Sequence, residues 1–173
     1  MKRGQFWYGD FLVAVLILMI IGMLFVTSIR DITSRNEVLK ELILEASDIS
    51  STLMSEGYGT MADWNNLIGT VGLVTNYKLD KNKFYNFLNL DYNKQKVMLG
   101  TLNNVFIYLA DRNGDIVPYH DNSDKISEAL GYPINSVSDI KSKNLVHIKR
   151  FIFYDEDGDG KGDIYTLGVV VWQ

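Results

Sequence analysis

An uninterrupted apolar stretch near the N-terminus places the strongest constraint on how this chain can fold. Residues 11–26 read FLVAVLILMIIGMLFV, and the segment from Phe11 through Ile29 contains 19 residues without a charge. At about 1.5 Å of rise per residue, a helix of this length spans roughly 28 Å, close to the hydrocarbon thickness of a bilayer. Because only a helix satisfies its own backbone groups in lipid, the stretch predicts a membrane-spanning helix. A buried core helix is disfavoured, since such helices rarely lack polar residues on every face.

The residues on either side of the apolar stretch predict its orientation. Lys2 and Arg3 precede it, and cations on this side favour a cytoplasmic N-terminus, which would place residues 30–173 outside the membrane. An ordinary secretory signal ends in a small-x-small cleavage site, and the residues after the stretch, TSIR, fit that pattern poorly. We therefore expect the apolar segment to be retained.

The next segment, residues 30–57, has the pattern of an amphipathic helix. Its apolar residues recur at intervals of seven, three and four, which places them on one helical face. That face contains Ile32, Leu39, Leu42, Ala46, Ile49 and Leu53. No Pro or Gly separates this segment from the apolar stretch, so one helix is predicted from about Phe6 to Glu56, about 75 Å long. Gly57 and Gly59 would end it, and its apolar face would pack on a sheet.

The sequence after Gly59 predicts short helices followed by strands. Asp80 and Asp91 are suited to cap two helices, a further helix is expected over residues 61–68, and Gly100 would close the helical region. Alternating apolar residues then predict strands over 105–111, 115–120, 146–154 and 164–172, and a short surface helix is expected over 123–130. Hairpin-length connections, such as Arg112-Asn113-Gly114, favour antiparallel pairing. The predicted fold class is α+β, with a long N-terminal helix packed on an antiparallel β-sheet.

Composition excludes several functional classes. The chain has no cysteine, which excludes disulfides, cysteine-type zinc sites and thiol nucleophiles. The net charge is −4, and no basic run is long enough to suggest nucleic acid as a partner. His120 and His147 do not have the spacing of metal ligands, and no catalytic motif is present. We therefore do not expect an enzyme.

A run of acidic residues joins the last two predicted strands. The loop DEDGDGKGD has carboxylates at positions one, three, five and nine of a calcium-loop pattern, glycine at position six and a lysine carbonyl at position seven. The candidate ligands are Asp155, Asp157, Asp159, Lys161 and Asp163. Such spacing lets a tightly turned backbone direct alternate oxygens at one hard cation.

The acidic loop departs from an EF-hand in two ways. Position twelve is Thr166 rather than a bidentate glutamate, and the flanking segments read as strands rather than helices. Two interpretations stay open: a weak Ca²⁺ site in a hairpin, or a solvated hairpin tip rich in turn-forming residues.

Two motifs in the sequence resemble those of a known family. The order Arg3-Gly4-Gln5, then aromatic residues, then Asp10-Phe11 and an apolar helix, resembles archaeal type IV pilin-like proteins with a class III signal peptide. A second set of residues is similar to the segment that follows the helix in many such proteins. It comprises Leu53-Met54, Gly57-Tyr58, Asp63-Trp64, Ile68, Gly72-Leu73, Leu79, Lys83-Phe84, Tyr92 and Leu99-Gly100. The resemblance covers roughly residues 1–110.

The resemblance implies proteolytic processing by a membrane prepilin peptidase. Gly4, Gln5 and Phe6 would mark the processing site, with the cut either before or after Gln5. Residues 1–5 would be the leader, residues 6–29 the transmembrane and assembly helix, and residues 30–173 an extracytoplasmic pilin-like domain. The implied partners are the prepilin peptidase, the membrane, and like or related pilin subunits.

The resemblance also assigns a role to Asp10. It stands for the acidic residue near the start of the mature helix, whose carboxylate neutralises a liberated α-amino group within lipid or packed helices. A simpler interpretation places Asp10 in the headgroup region beside Trp7 and Tyr8. Two functions therefore remain. The first is a subunit of a cell-surface filament, and the alternative is a single-pass anchored surface protein that binds a partner or ligand without polymerising.

Overall fold

The long helix predicted from the sequence is present. A computed structural model of the chain describes residues 4–117, 119–120, 126–127, 130–132, 134, 136–155 and 161–173. Helix α1 covers Gly4–Leu53, close to the predicted bounds of Phe6 and Glu56. The chain divides after Val38 into two compact units, which are described separately.

The first unit contains the apolar part of α1. Its large side chains from Phe11 onward are exposed to solvent, and Met23 reaches 75 % exposure. The most apolar 18-residue window of the helix has a mean hydropathy of 2.9, and none of it is buried. By length and composition, this is the one helix among the described residues that could cross a membrane, as the apolar stretch predicts.

The second unit begins with the C-terminal part of α1 and contains three short helices: α2 (Met61–Asn65), α3 (Lys81–Leu88) and α4 (Tyr92–Leu99). Both aspartate caps are confirmed. The Asp80 carboxylate accepts hydrogen bonds from two backbone N–H groups of α3, and the Asp91 carboxylate accepts one from α4. Gly100 ends α4 in the left-handed conformation, with φ of 69°. Helix α2 is shorter than predicted because Leu67 also has a positive φ, 59°, which a helix cannot contain.

The strands form one larger sheet and one two-stranded sheet. The larger sheet has the order β1–β2–β7–β8–β3–β6, and β4 pairs with β5. The strands are β1 (Val74–Thr75), β2 (Lys78–Leu79), β3 (Asn104–Ala110), β4 (Tyr119–His120), β5 (Ile126–Ser127), β6 (Leu130–Gly131), β7 (Leu145–Tyr154) and β8 (Asp163–Trp172). Together with α1 they make an α+β fold, as predicted.

The pairing is antiparallel, as expected, except between β2 and β7. These two strands are parallel and meet at a single register pair, Lys78 and Phe153. No hairpin connects them, because α3, α4 and four strands intervene in sequence, so turn geometry does not impose an antiparallel direction. The two predicted C-terminal strands are confirmed almost to the residue as β7 and β8.

Of two expectations about the region after β3, the strand over 115–120 is met only in part, with β4 at its end, and the helix over 123–130 is wrong where the chain is described. The turn at residues 111–115 forms, and the Val117 amide donates to the Leu109 carbonyl at 2.9 Å, but Ile116 contributes only an isolated bridge to Ala110. The strand expected there does not extend along β3, since β6 occupies that edge. The helix expected over 123–130 is wrong because β5 and β6 lie in that range.

The larger sheet has a core on each face. On one face, Phe106, Tyr108 and Trp172 pack with other buried residues against the segment from Ile134 to Leu145. The alternate residues of β3 and β8 are also buried and point to the opposite face. On that face, the Arg150 Nε donates to the Ser50 Oγ of α1 at 3.0 Å, so the C-terminal part of α1 covers it.

The end of α1 depends on a close backbone contact between two glycines. Gly57 follows the helix with φ of 61°, and its backbone lies directly against that of Gly72. A Cβ added to Gly72 would overlap the Gly57 amide and the Ser55 carbonyl, neither of which can move as a side chain can. The contact therefore requires glycine for space as well as for conformation.

We expect Gly72→Ala to lower the free energy of unfolding of the second unit by about 2 kcal/mol or more, because backbone atoms must separate. The matched control is Gly100→Ala, where a Cβ meets no atom within 4 Å and only the left-handed φ opposes the change, at about 1 kcal/mol. Thermal unfolding of the full chain in detergent measures both. Equal losses at the two positions would contradict the overlap at Gly72.

Candidate functional site

The residues implicated in processing lie in the first turn of α1. Gly4 is its first residue, and Gln5 and Phe6 follow within the same helical segment. Asp10 lies four residues after Phe6 and directly before the exposed apolar run, and its side chain is exposed. The sequence thus places the processing residues and the acidic residue on one short piece of helix, with an apolar surface beginning at Phe11.

Helical geometry relates Asp10 to the two processing positions. Residues four apart on a helix lie on the same face, so Phe6 and Asp10 are neighbours separated by about 6 Å along the axis. A residue five positions before Asp10 is rotated by about 140° from it, which places Gln5 on a different face. An α-amino group created at Phe6 would therefore be nearer to the Asp10 carboxylate of the same chain than one created at Gln5.

The ends of the acidic loop come together at the loop end of the β7–β8 hairpin. Tyr154 and Asp163 form the last register pair of the two strands, and Asp155 follows directly. The Asp155 side chain is only 5 % exposed, and its Oδ2 lies 3.2 Å from the Nζ of Lys78 on β2. The same ammonium lies 5.3 Å from the centre of the Phe153 ring. Lys78 thus compensates part of the negative charge of the loop.

The calcium prediction is only partly covered by the described residues. Asp155, Lys161 and Asp163 are placed near the hairpin end, with Lys161 and Asp163 exposed, whereas Asp157 and Asp159 lie outside the described residues. Within the described ranges, no three His, Asp or Glu side chains are grouped as they would be around a metal ion. The Ca²⁺ site therefore stays a prediction, with position one of the loop already paired to Lys78.

A cleft of about 860 Å³ lies beside this hairpin end. Its lining includes Phe151, Phe153, Ile164, Asp111 and Arg112. Phe151 is 78 % exposed although it lies in the middle of the sheet. The sequence analysis did not predict this cleft. The sequence does contain a signal for it, because Phe151 and Phe153 occupy the same face of β7 as the polar residues His147 and Lys149.

A smaller groove of about 440 Å³ lies along the outer part of α1 in the second unit. Glu45 forms one wall, and its carboxylate accepts hydrogen bonds from the Thr101 hydroxyl and, at 2.5 Å, from the Asn103 side-chain amide. Glu41 and Asp48 add two exposed carboxylates. The sequence gives no local signal for this groove, because the partners of Glu45 come from a loop more than 50 residues later.

The Tyr108–His147 pair reaches across the central strand. The Tyr108 hydroxyl lies 2.9 Å from the His147 Nε2, and the Tyr108 ring passes over Gly168 of β8, where any side chain would collide with it. Burial raises the pKa of the Tyr108 hydroxyl, while burial and the nearby charge of Lys149 lower the pKa of His147. Both groups are therefore neutral at pH 7, and the pair acts as a structural link between β3 and β7.

Comparison with protein-family models, with curated proteins and with solved structures finds no match to this chain. The functional interpretation is therefore based on the geometry of the described residues and on the sequence resemblance.

We expect Ca²⁺ to raise the unfolding temperature of the full chain relative to the same protein in chelator, because a cation relieves repulsion among the five acids of the loop. The control replaces Asp157 and Asp159 with asparagine, which removes two candidate ligands and leaves the Lys78–Asp155 ion pair in place. An unchanged unfolding temperature with Ca²⁺ and with chelator would reject the metal site.

Proposed function

We propose that this chain is a membrane-inserted pilin-like subunit of an archaeal cell-surface filament, cleaved by a prepilin peptidase. The observation that carries the proposal is the exposed apolar surface of α1 over residues 11–26, none of which is buried among the described residues. Such a surface requires lipid before assembly, and packed helices of other subunits afterwards. The Gly4-Gln5 pair and Asp10, which resemble the N-terminal motif of class III pilin-like proteins, support this choice.

In this proposal, the N-terminus is cytoplasmic, α1 crosses the membrane once, and the second unit lies outside the cell. Cleavage on the cytoplasmic side removes Lys2 and Arg3, the two charges that would hold the helix end at the inner headgroups. The shortened helix then leaves the bilayer and packs with the helices of other subunits. The chain serves as a structural subunit rather than an enzyme.

The liberated α-amino group would be an unpaired charge among apolar helices, which is costly. Asp10 supplies the opposite charge at the start of the apolar surface. Because Phe6 and Asp10 share a helical face, cleavage after Gln5 lets the two groups pair within one chain. Cleavage before Gln5 would instead direct the amine away from Asp10 and favour pairing with a neighbour.

A second candidate function is a single-pass anchored surface protein that binds a ligand or partner without polymerising. The cleft beside Phe151 and Arg112 favours it, since exposed aromatic and charged side chains in one concavity are typical of binding sites. This alternative leaves Lys2 and Arg3 in the mature protein, whereas the filament proposal removes them.

Mass spectrometry of the mature protein separates these two functions. We expect a chain that begins at Phe6, because that cut places the new amine on the face of Asp10. A Gly4→Val variant, which alters the Gly-Gln pair of the processing motif, serves as the uncleaved control. Recovery of a parent chain that still contains Met1 or Lys2 would reject the filament proposal, and a chain beginning at Gln5 would reject pairing within one subunit.

Substitution of Asp10 tests the assembly role directly. Asp10→Asn removes the negative charge at constant size, so we expect normal membrane insertion and cleavage but at least about tenfold less protein in sheared surface filaments. Asp10→Glu keeps the charge and should retain most of the assembly. Filaments of the Asn variant at the parental level would mean that Asp10 is only an interfacial residue.

A further inference from the structure

Strand β7 has an edge that is almost free of partners among the described residues. It pairs along its whole length with β8 on one side, but on the other side it meets β2 only at Phe153. The preceding residues of β7 therefore present backbone donors and acceptors away from the sheet along about 20 Å. An open strand edge of this length is a place where another chain can dock.

Strand β7 and the segment that leads into it carry a concentration of positive charge. Residues 140–154 contain four cations and no acid, in a chain whose net charge is −4. We call these cations the basic edge: Lys141, Lys143, Lys149 and Arg150, all exposed. No described carboxylate lies within ion-pair distance of any of them. Arg150 is held by its bond to Ser50, whereas the lysines project from the surface.

The second unit also has a surface of opposite charge. We call it the acidic groove, and it is lined by Glu41, Leu44, Glu45, Asp48 and Leu102. Leu102 is 95 % exposed and Leu44 is also exposed, so the groove combines carboxylates with apolar surface that remains in water. Uncovered apolar groups rimmed by charges are typical of protein–protein contacts.

The two surfaces lie on opposite flanks of the same helix. Arg150 reaches α1 at Ser50, and Glu45 lies five residues earlier, which is a rotation of about 140° around the helix. The acidic groove adjoins the start of β3, while Lys149 and Arg150 of the basic edge lie on β7, and β8 separates these two strands. A surface on one flank cannot meet its complement on the other flank within one molecule.

We propose that the basic edge of one copy docks in the acidic groove of the next copy. Two different complementary surfaces on opposite flanks give a head-to-tail contact between copies. Such a contact builds an open filament when the rotation from one copy to the next does not close a ring. The proposal rests on the filament function and names the contact between its outer units. Opposite charges set the register, and the exposed leucines are covered in the assembled state.

Charge reversal on either surface tests the contact. One variant carries Lys143→Glu and Lys149→Glu, and the other carries Glu41→Lys and Asp48→Lys. These positions spare Arg150 and Glu45, which hydrogen-bond within the fold. Each pair should reduce the protein in sheared surface filaments by about tenfold or more, because like charges then face each other. The combination of all four changes restores opposite charges and should recover assembly.

The control reverses an exposed cation elsewhere, with Lys81→Glu, and should assemble as the parent does. If a charge-reversal variant does not accumulate in membranes, charge-neutral variants replace it in the same assay. These are Lys143→Gln with Lys149→Gln, and Glu41→Gln with Asp48→Asn, and we expect them to lose less filament protein than the reversals. The proposed contact is overturned if both double variants form filaments at the parental level. It is also overturned if the quadruple variant forms no more filament than either double variant. Both results leave the filament function intact. A parent chain that forms no filament rejects both.

Discussion

A long apolar helical surface, none of it buried among the described residues, is the dominant physical constraint on this chain. The side chains from Phe11 to Val26, transferred from water to an apolar environment, are worth on the order of tens of kcal/mol. The stability of a folded domain is far smaller than that. The apolar segment therefore needs a surrounding of lipid or of other helices at every stage, and the second unit must fold without help from it. The division of the chain after Val38 reflects these two separate requirements.

The second unit is stabilised by one sheet that is covered on both faces. The C-terminal part of α1 covers one face, where Ala46 is completely buried, and the segment from Ile134 to Leu145 covers the other. Hydrogen bonds that span long stretches of sequence fix the geometry, such as those from Arg150 to Ser50 and from Asn103 to Glu45. The chain contains no cysteine, so these packed and hydrogen-bonded contacts take the place of the disulfides found in many extracellular domains.

Features that depend on local physics could be predicted from the sequence, and features that depend on distant contacts could not. Asp80 and Asp91 accept hydrogen bonds from backbone amides two or three residues later, and a polar loop separates the two apolar runs that form β7 and β8, so these predictions were accurate. The two-residue strands β1, β2 and β6 carry too few residues for a periodic pattern. The pairing of Lys78 with Asp155, 77 residues away, has no local signal. The acidic groove was missed for the same reason, whereas the Gly4-Gln5 pair and Asp10 were identified through the family resemblance alone.

The position of β8 in the sheet has a consequence for biosynthesis. This strand lies between β7 and β3, and it supplies the pairing partner for the whole length of each. It is also the last of the described strands to be synthesised, so β3 must wait through more than 50 further residues before its main partner exists. Until then, its apolar residues have no sheet to join. The sheet of the second unit therefore stays incomplete during synthesis until residues 163–172 are available to pair with both β7 and β3.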